Sequence, residues 1–213
     1  MSAFIFDLDG VLVDTAKYHY LAWLHISKKY GYIFNETINE KLKGVSREKC
    51  LDIILKLSNI TINDPKKAII LKEKNDIYLD YIETLTPDEV LPGVINILDY
   101  AKENSISICL GSASKNAKPI LDKVGIADYF DCIVDGTDVS KAKPDPEVFL
   151  KGADQLNVEP IDCIVFEDSE AGIEAAINAG MKTIGIGDKF ILKKANLIIN
   201  NLEEINTTQL QSL

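Results

Sequence analysis

The sequence predicts an α/β fold: a doubly wound parallel sheet with a helical domain inserted after its first strand. Three observations lead there. Short, continuous apolar runs recur through the C-terminal two-thirds of the chain, as strands buried on both faces do. Apolar stripes with helical spacing lie between most of them. After the first apolar run, no second strand appears until Ile106.

Ala3–Phe6 reads as the first buried strand. Ala16, Tyr20, Trp23, Leu24 and Tyr30 then share one helical face, and Gly31 follows as a stop. The stretch "AIILKEKNDIYLDYIETL" reads as another long helix. A simple strand–helix–strand unit returns to a strand within about 30 residues. Residues 15–88 therefore read as a helical insertion, and residues 1–14 with 89–213 as the core. Beyond it, strands at Ile106–Leu110, Cys132–Val134, Cys163–Phe166, Thr183–Ile186 and Leu197–Ile199 alternate with helices. Val94, Ile97, Leu98 and Ala101 mark one helical stripe, and Ala117, Ile120, Leu121 and Val124 the next. Phe149, Gly152, Ala153 and Leu156 mark a third, and Ile173, Ala176, Ile177 and Gly180 a fourth. Pro92 suits a first helical turn, and Gly125 and Gly180 suit helix stops.

With 213 residues and 46% hydrophobic content, the chain can bury one sizeable core with a smaller appended domain. Its net charge of −10 and lack of a basic stripe exclude nucleic acid and anionic membrane as partners. No basic segment precedes an apolar one at the N-terminus, and no run is long enough to span a bilayer. Cys50, Cys109, Cys132 and Cys163 form no CxxC pair, and three of them lie in apolar runs. Reduced, buried thiols in a cytoplasmic protein are the expectation. A zinc site lacks ligands, since only His19 and His25 could complete one.

The chemistry gathers at strand ends. In open parallel sheets, ligands bind beyond the carboxyl ends of the strands. Asp7 and Asp9 follow the first strand, Ser112 and Ser114 the second, and Glu167 and Asp168 the fourth. Lys141 and Lys143 lie in the loop "SKAKPDP". Four acids in one place repel unless a cation offsets them, and oxygen donors without His or Cys suit Mg²⁺. One carboxylate could then attack phosphorus, and a second, two residues on, could carry a proton. Ser112 and Lys143 could hold phosphoryl oxygens. Pro144 restrains the backbone beside Lys143, which favours it over Lys141. Taken singly, each motif is ordinary: DxDG is a turn, "EDS" a helix cap and "KP" a loop. Their order, each at a strand end, is what makes them a site. Asp14 is expected to cap the first helix of the insertion.

"FDLDGVLVDT", "GSAS", "KAKPDP" and "FEDSEAGIEAA", in that order, resemble the four successive motifs of the haloacid dehalogenase superfamily. The resemblance implies Asp7 as nucleophile and Asp9 as acid/base. It implies Mg²⁺ on the Asp7 carboxylate, the Asp9 backbone carbonyl, Glu167 and Asp168. Ser112, Ala113 and Lys143 would bind the transferring phosphoryl group, and the insertion would be the family's helical cap.

"LKGVSRE" supplies Arg47, which can grip a phosphate, and Gly44 and Val45, whose amides could meet sugar hydroxyls. On composition alone the stretch is a solvated helix start capped by Ser46. Together with "DTAKYHYLAW", "KNDIY" and "SASKN", it resembles the β-phosphoglucomutase branch of the superfamily. That resemblance implies Arg47, Ser114, Lys115 and Asn116 as the grip on a non-reacting phosphate. It implies Gly44, Val45, Ser46 and Lys74 as cap contacts to the sugar, and Thr15 and His19 as partners orienting Asp9. Trp23 is expected to pack, and His25 has no role. The implied reaction interconverts β-glucose 1-phosphate and glucose 6-phosphate through a bisphosphate, with a monomeric enzyme acting on small sugar phosphates. Two rivals stand beside it: a sugar-phosphate phosphatase and a non-catalytic sugar-phosphate sensor.

Overall fold

The computed structural model describes residues 2–213, and for residues 211 and 212 their backbone alone. β1 (Ala3–Phe6) lies inside a six-stranded parallel sheet. On one side lie β2 (Ser107–Gly111) and β3 (Cys132–Val134). On the other lie β4 (Cys163–Glu167), β5 (Lys182–Ile186) and β6 (Leu197–Ile199). The order β3-β2-β1-β4-β5-β6 puts the reversal of winding between β1 and β4, where a crevice opens beyond the strand ends. Phe6 pairs with Leu110 on one side and Phe166 on the other. Asp7 and Glu167, the residues that follow Phe6 and Phe166, and Ser112, two beyond Leu110, therefore emerge together.

Side chains alternate along a strand, so both faces of the sheet must be covered. Phe4 and Phe6 join the layer under α5 (Val94–Glu103) and α6 (Ala117–Val124). Ala3 and Ile5 join the layer under α7 (Glu147–Leu156) and α8 (Glu170–Asn178). Phe166 stacks on Phe6 with ring centroids 4.4 Å apart and meets Phe4 edge-on at 5.2 Å. The six strands fall within a residue of their expected positions. Pro92 does not open a helix; it precedes Gly93, the N-cap of α5. Gly125 and Gly180 do follow helix ends with positive φ.

Between β1 and β2 lie α1 (Ala16–Tyr30), α2 (Glu36–Glu40), α3 (Arg47–Leu57) and α4 (Asp64–Ile82). They build a separate apolar cluster around Trp23, Ile26, Leu51, Ile54 and Ile70. Ser46 caps α3 through the Lys49 amide, and Asn63 caps α4 through that of Lys66. The buried face of α1 differs from the expected stripe. It runs through Ala22, Trp23, Ile26 and Ser27, leaving Ala16, Tyr20 and Leu24 half-buried. Polar Thr15 and Ser27 are buried at either end of this face, and that disguised it in the hydropathy pattern. Asp14 does not cap α1. Thr15 is the N-cap residue, so the Asp14 carboxylate stands one position too early and pairs instead with Lys17 at 2.9 Å.

The insertion's two ends run side by side. Val13 bridges Val90 in antiparallel fashion, and the Asp14 and Leu91 amides donate to Glu89 and Leu12 carbonyls at 3.0 Å each. No described helix is long and apolar enough to cross a membrane. The four cysteines are free. Phe166→Ala should cost about 3–5 kcal/mol of stability, because the ring is fully buried between two others. Urea unfolding checks it, and an unchanged midpoint would contradict this account of the core.

Candidate active site

Asp7 leaves β1 with its amide donating to the Phe166 carbonyl at 3.0 Å, so the sheet itself fixes its place. Lys143 reaches it from the loop before α7. Its Nζ donates to Asp7 Oδ1 at 2.6 Å and to Glu167 Oε2 at 2.8 Å, and Lys143 is only 1% exposed. Lys141, by contrast, is exposed and faces Asp145 at 3.5 Å. Burial pushes the Asp7 carboxyl well above its ordinary range, against the pull of Lys143. Burial opposes charge on Lys143 too, but Asp7 and Glu167 outweigh it and hold the ammonium above its usual value. Asp168 is pushed up to about 7 by burial and by the neighbouring Glu167 charge.

Asp7, Glu167 and Asp168 bring carboxylate oxygens within 4.8 Å of one another. Two backbone cradles shape this cluster. A Cβ on Gly172 would fall onto the Glu167 carboxylate, and one on Gly10, where φ is +83°, onto that of Asp168. Ser169 Oγ donates to Glu167 Oε1 at 2.6 Å and accepts from the Gly172 amide at 3.1 Å. One side chain thus caps α8 and orients an acid. Lys43, which sequence reasoning missed, stands 3.5 Å from Asp168 Oδ2. Oxygen-only donors, clustered, buried and carrying more negative charge than their lysines offset, fit a hard divalent cation such as Mg²⁺.

Asp9 has different company. Thr15 Oγ1 donates to its Oδ1, and His19 Nε2 lies 3.5 Å from its Oδ2. Behind, Lys74 Nζ meets His19 Nδ1 at 2.7 Å. Burial and the Lys74 charge hold the His19 ring below its ordinary pKa. The neutral ring then accepts from Lys74 and donates toward Asp9. Burial raises Asp9, but His19 and the Thr15 bond outweigh it and hold the carboxyl low. Burial and the Arg47 charge bring Lys74 down to about 7. Lys74 is 1% exposed and lies 5.4 Å from the Trp23 ring, so its ammonium backs His19. Trp23 packs in the insertion, and His25 is exposed.

These groups face one cavity of about 390 Å³. The core contributes Asp7, Asp9, Asp168, Lys143 and the loop Ser112–Asn116. The insertion contributes His19, Lys43, Gly44, Val45, Ser46, Arg47 and Lys74. Thr15 and Glu167 stand behind the wall. The loop after β2 turns twice on its own hydroxyls, with Ser112 Oγ accepting from the Ser114 amide and Ser114 Oγ from that of Asn116. Two contacts tie it to the insertion: Asn116 Nδ2 to Asn75 Oδ1 at 3.2 Å, and Lys115 to Glu48 at 3.1 Å. Asn75 and Glu48 lie within "KNDIY" and "LKGVSRE", but the sequence reading gave neither a role. Gly44 packs so closely on Ser169 that a Cβ would strike its hydroxyl. Among the described residues no carboxylate forms an ion pair with Arg47, which is half-buried at the cavity wall.

A parallel sheet with this winding, a buried acid directly after β1, and an acid pair and lysine around it define a class. The family model described as haloacid dehalogenase-like hydrolase matches residues 1–180. The chain belongs to that family. Within it, the chain is 42% identical over 207 residues to the β-phosphoglucomutase of Bacillus subtilis (strain 168), covering 96% of this chain and 92% of that one. It is 32% identical to a phosphorylated carbohydrates phosphatase of Thermotoga maritima, covering 86% and 84%. The crystal structure of a β-phosphoglucomutase from Clostridium difficile superposes with a TM-score of 0.95 at 42% identity, covering 100% of this chain and 96% of that one.

Asp168→Asn should weaken Mg²⁺ binding about tenfold or more by removing a charged oxygen donor. Calorimetric titration with Mg²⁺ measures it, and an unchanged affinity would remove this cluster as the metal site.

Proposed function

We propose that the chain interconverts β-glucose 1-phosphate and glucose 6-phosphate through β-glucose 1,6-bisphosphate, with Asp7 carrying the phosphoryl group. The observation that carries the reading is a second cationic station in the same cavity. Arg47, with no paired carboxylate, shares the wall with Lys115 and Asn116, while Lys143 serves Asp7. A bisphosphate has two anionic ends, and each needs a grip. The 42% identity to the B. subtilis mutase, which runs through the insertion, supports the same substrate class.

In this mechanism phospho-Asp7 gives its phosphoryl group to the sugar 6-hydroxyl. The bond from phosphorus to Asp7 breaks as the bond to the sugar oxygen forms. Asp9 takes the hydroxyl proton, and its low pKa keeps it ionised for that task. The bisphosphate then turns, so that Arg47, Ser114, Lys115 and Asn116 hold the new phosphate. Asp7 attacks the phosphorus at the 1-position, and Asp9 returns a proton to the leaving oxygen. Lys143, Ser112 and the Ala113 amide hold phosphoryl oxygens throughout. Mg²⁺, bound by Asp7, Glu167, Asp168 and the Asp9 carbonyl, would supply positive charge beside the transferring group. Residues 15–88 act as a cap whose closure keeps water from the acyl phosphate, with Gly44, Val45 and Ser46 against the sugar. Thr15, His19 and Lys74 orient Asp9.

Similarity to the T. maritima phosphatase supports a second reading, in which water accepts the phosphoryl group. Phosphorus NMR separates the two. With Mg²⁺, β-glucose 1-phosphate and a trace of bisphosphate, the mutase yields glucose 6-phosphate with little inorganic phosphate. Stoichiometric inorganic phosphate would sink the mutase reading. Arg47→Ala should weaken bisphosphate binding by about 2–5 kcal/mol, as loss of a buried charged partner does. A binding constant unchanged from the parent would take Arg47 out of the second station.

A further inference from the structure

Glu147 opens α7, and an acid in the first turn of a helix is ordinary, since the free amides there favour negative charge. Its carboxylate, however, turns back across the loop before the helix. Oε2 accepts from the Ser140 amide at 3.0 Å, from the Ser140 hydroxyl at 2.9 Å and from the Lys141 amide at 2.8 Å. Oε1 takes the Lys151 ammonium at 2.8 Å. Lys151 and the Ser140 bonds hold the carboxyl down to about 2, so it is ionised and only accepts.

The loop closed in this way carries Lys143 at its apex. The Asp145 amide donates to the Ala142 carbonyl at 3.1 Å, a turn with Lys143 and Pro144 at its corners. The Glu147 amide donates to Asp145 Oδ1 at 3.1 Å, and Asn178 Nδ2 on α8 donates to the Pro144 carbonyl at 3.2 Å. Both flanks of Lys143 are thus tied down. Its side chain runs inward to Asp7 and Glu167, with the ammonium 4.7 Å from the centre of the Phe149 ring. A lysine stem is flexible, so the ammonium is aimed by its backbone anchor and by the walls around it.

We propose that Glu147 is the positioning residue for Lys143: its carboxylate closes the loop that aims the ammonium at Asp7, and it sets turnover without touching substrate. Glu147 stands outside the cavity wall, whereas Ser140, Lys141 and Lys143 are part of it. It therefore acts through the loop alone. What the role needs is an acceptor at this length from the helix, more than a charge: three of the four donors are two main-chain amides and a hydroxyl. A helix-start acid that only complements the free amides of α7 would need the charge and have no use for those bonds. The two roles thus part at glutamine, which keeps the acceptor and drops the charge. The inference rests on the functional reading above, in which Lys143 holds the phosphoryl group, and extends it.

The test compares Glu147→Ala, Glu147→Gln, Ser140→Ala and Lys151→Met with the parent, each with Mg²⁺, β-glucose 1-phosphate and a trace of bisphosphate. Glu147→Ala should lose about tenfold or more in kcat with KM within about twofold. Glu147→Gln should recover to within about threefold of the parent, because its oxygen still accepts from the loop. Ser140→Ala removes one of the three bonds and should lose about threefold in kcat. Lys151→Met removes only the exposed partner and should stay within about twofold. Crystals of Glu147→Ala should show the Lys143 ammonium drawn away from Asp7. Turnover of Glu147→Ala within about twofold of the parent would overturn the proposal. So would a glutamine or Lys151 variant as slow as the alanine one, or a Lys143 that still bridges Asp7 and Glu167 in the crystal. Where Glu147→Ala does not fold, Ser140→Ala decides, and parental turnover in it overturns the proposal. Phosphorus NMR on the same reactions reads the product. If the parent releases inorganic phosphate, the mutase reading fails, and the Glu147 comparison is decided on that hydrolytic turnover. If the parent turns nothing over, the position of Lys143 in the crystals decides it.

Discussion

The buried ammonium of Lys143 is the contact on which the acid centre depends. Asp7 and Glu167 are both nearly solvent-free, and Lys143 bridges them at 2.6 and 2.8 Å. Breaking such a buried pair costs about 3–5 kcal/mol, because it strands a charge that water cannot reach. The loop that delivers Lys143 is itself tied down. Glu147, in the first turn of α7, accepts from the Ser140 amide and hydroxyl and from the Lys141 amide. The residue directly after β1 is thus held in place by one 136 positions later, through a loop pinned to a helix.

The two aspartates of the first motif end in opposite electrostatic states although they are two residues apart. Asp7 enters a cluster with more acid than base, and burial drives its carboxyl up. Asp9 turns toward Thr15 and His19, with Lys74 behind, and is driven down. Residues two apart in a continuing strand would face the same way, but the chain turns directly after β1, the Leu12 and Val13 amides donating back to the Leu8 carbonyl, so Asp7 meets the core's own loops and Asp9 meets α1. Such a separation of environments is how one site assigns different work to two carboxylates. It also explains why the insertion must begin where it does: Thr15 and His19 can reach Asp9 only from a helix that starts directly after the turn.

Much of this was legible in the residues. Continuous apolar runs mark the strands because both faces of the sheet are covered, and the motif order marks the site because parallel strands end on one side. Local pattern was less informative where a contact is made across the fold. Lys43, Glu48 and Asn75 meet their core partners only after the insertion lies on the core. The buried face of α1 was misread because polar residues occupy part of it. Asp14 fitted the composition of a helix cap, yet its exact place relative to the first turn depends on backbone geometry that composition does not encode.

The side-by-side crossing at Val13 and Val90 has a consequence for how such chains diversify. Because the outgoing and returning backbones are hydrogen-bonded neighbours, everything between them hangs from one narrow stem. Helices can be lengthened, lost or exchanged above that stem while the spacing of the strands below stays the same. One wall of the cavity can therefore be rewritten as a single contiguous segment, on a separate schedule from the strand-end residues that form the other.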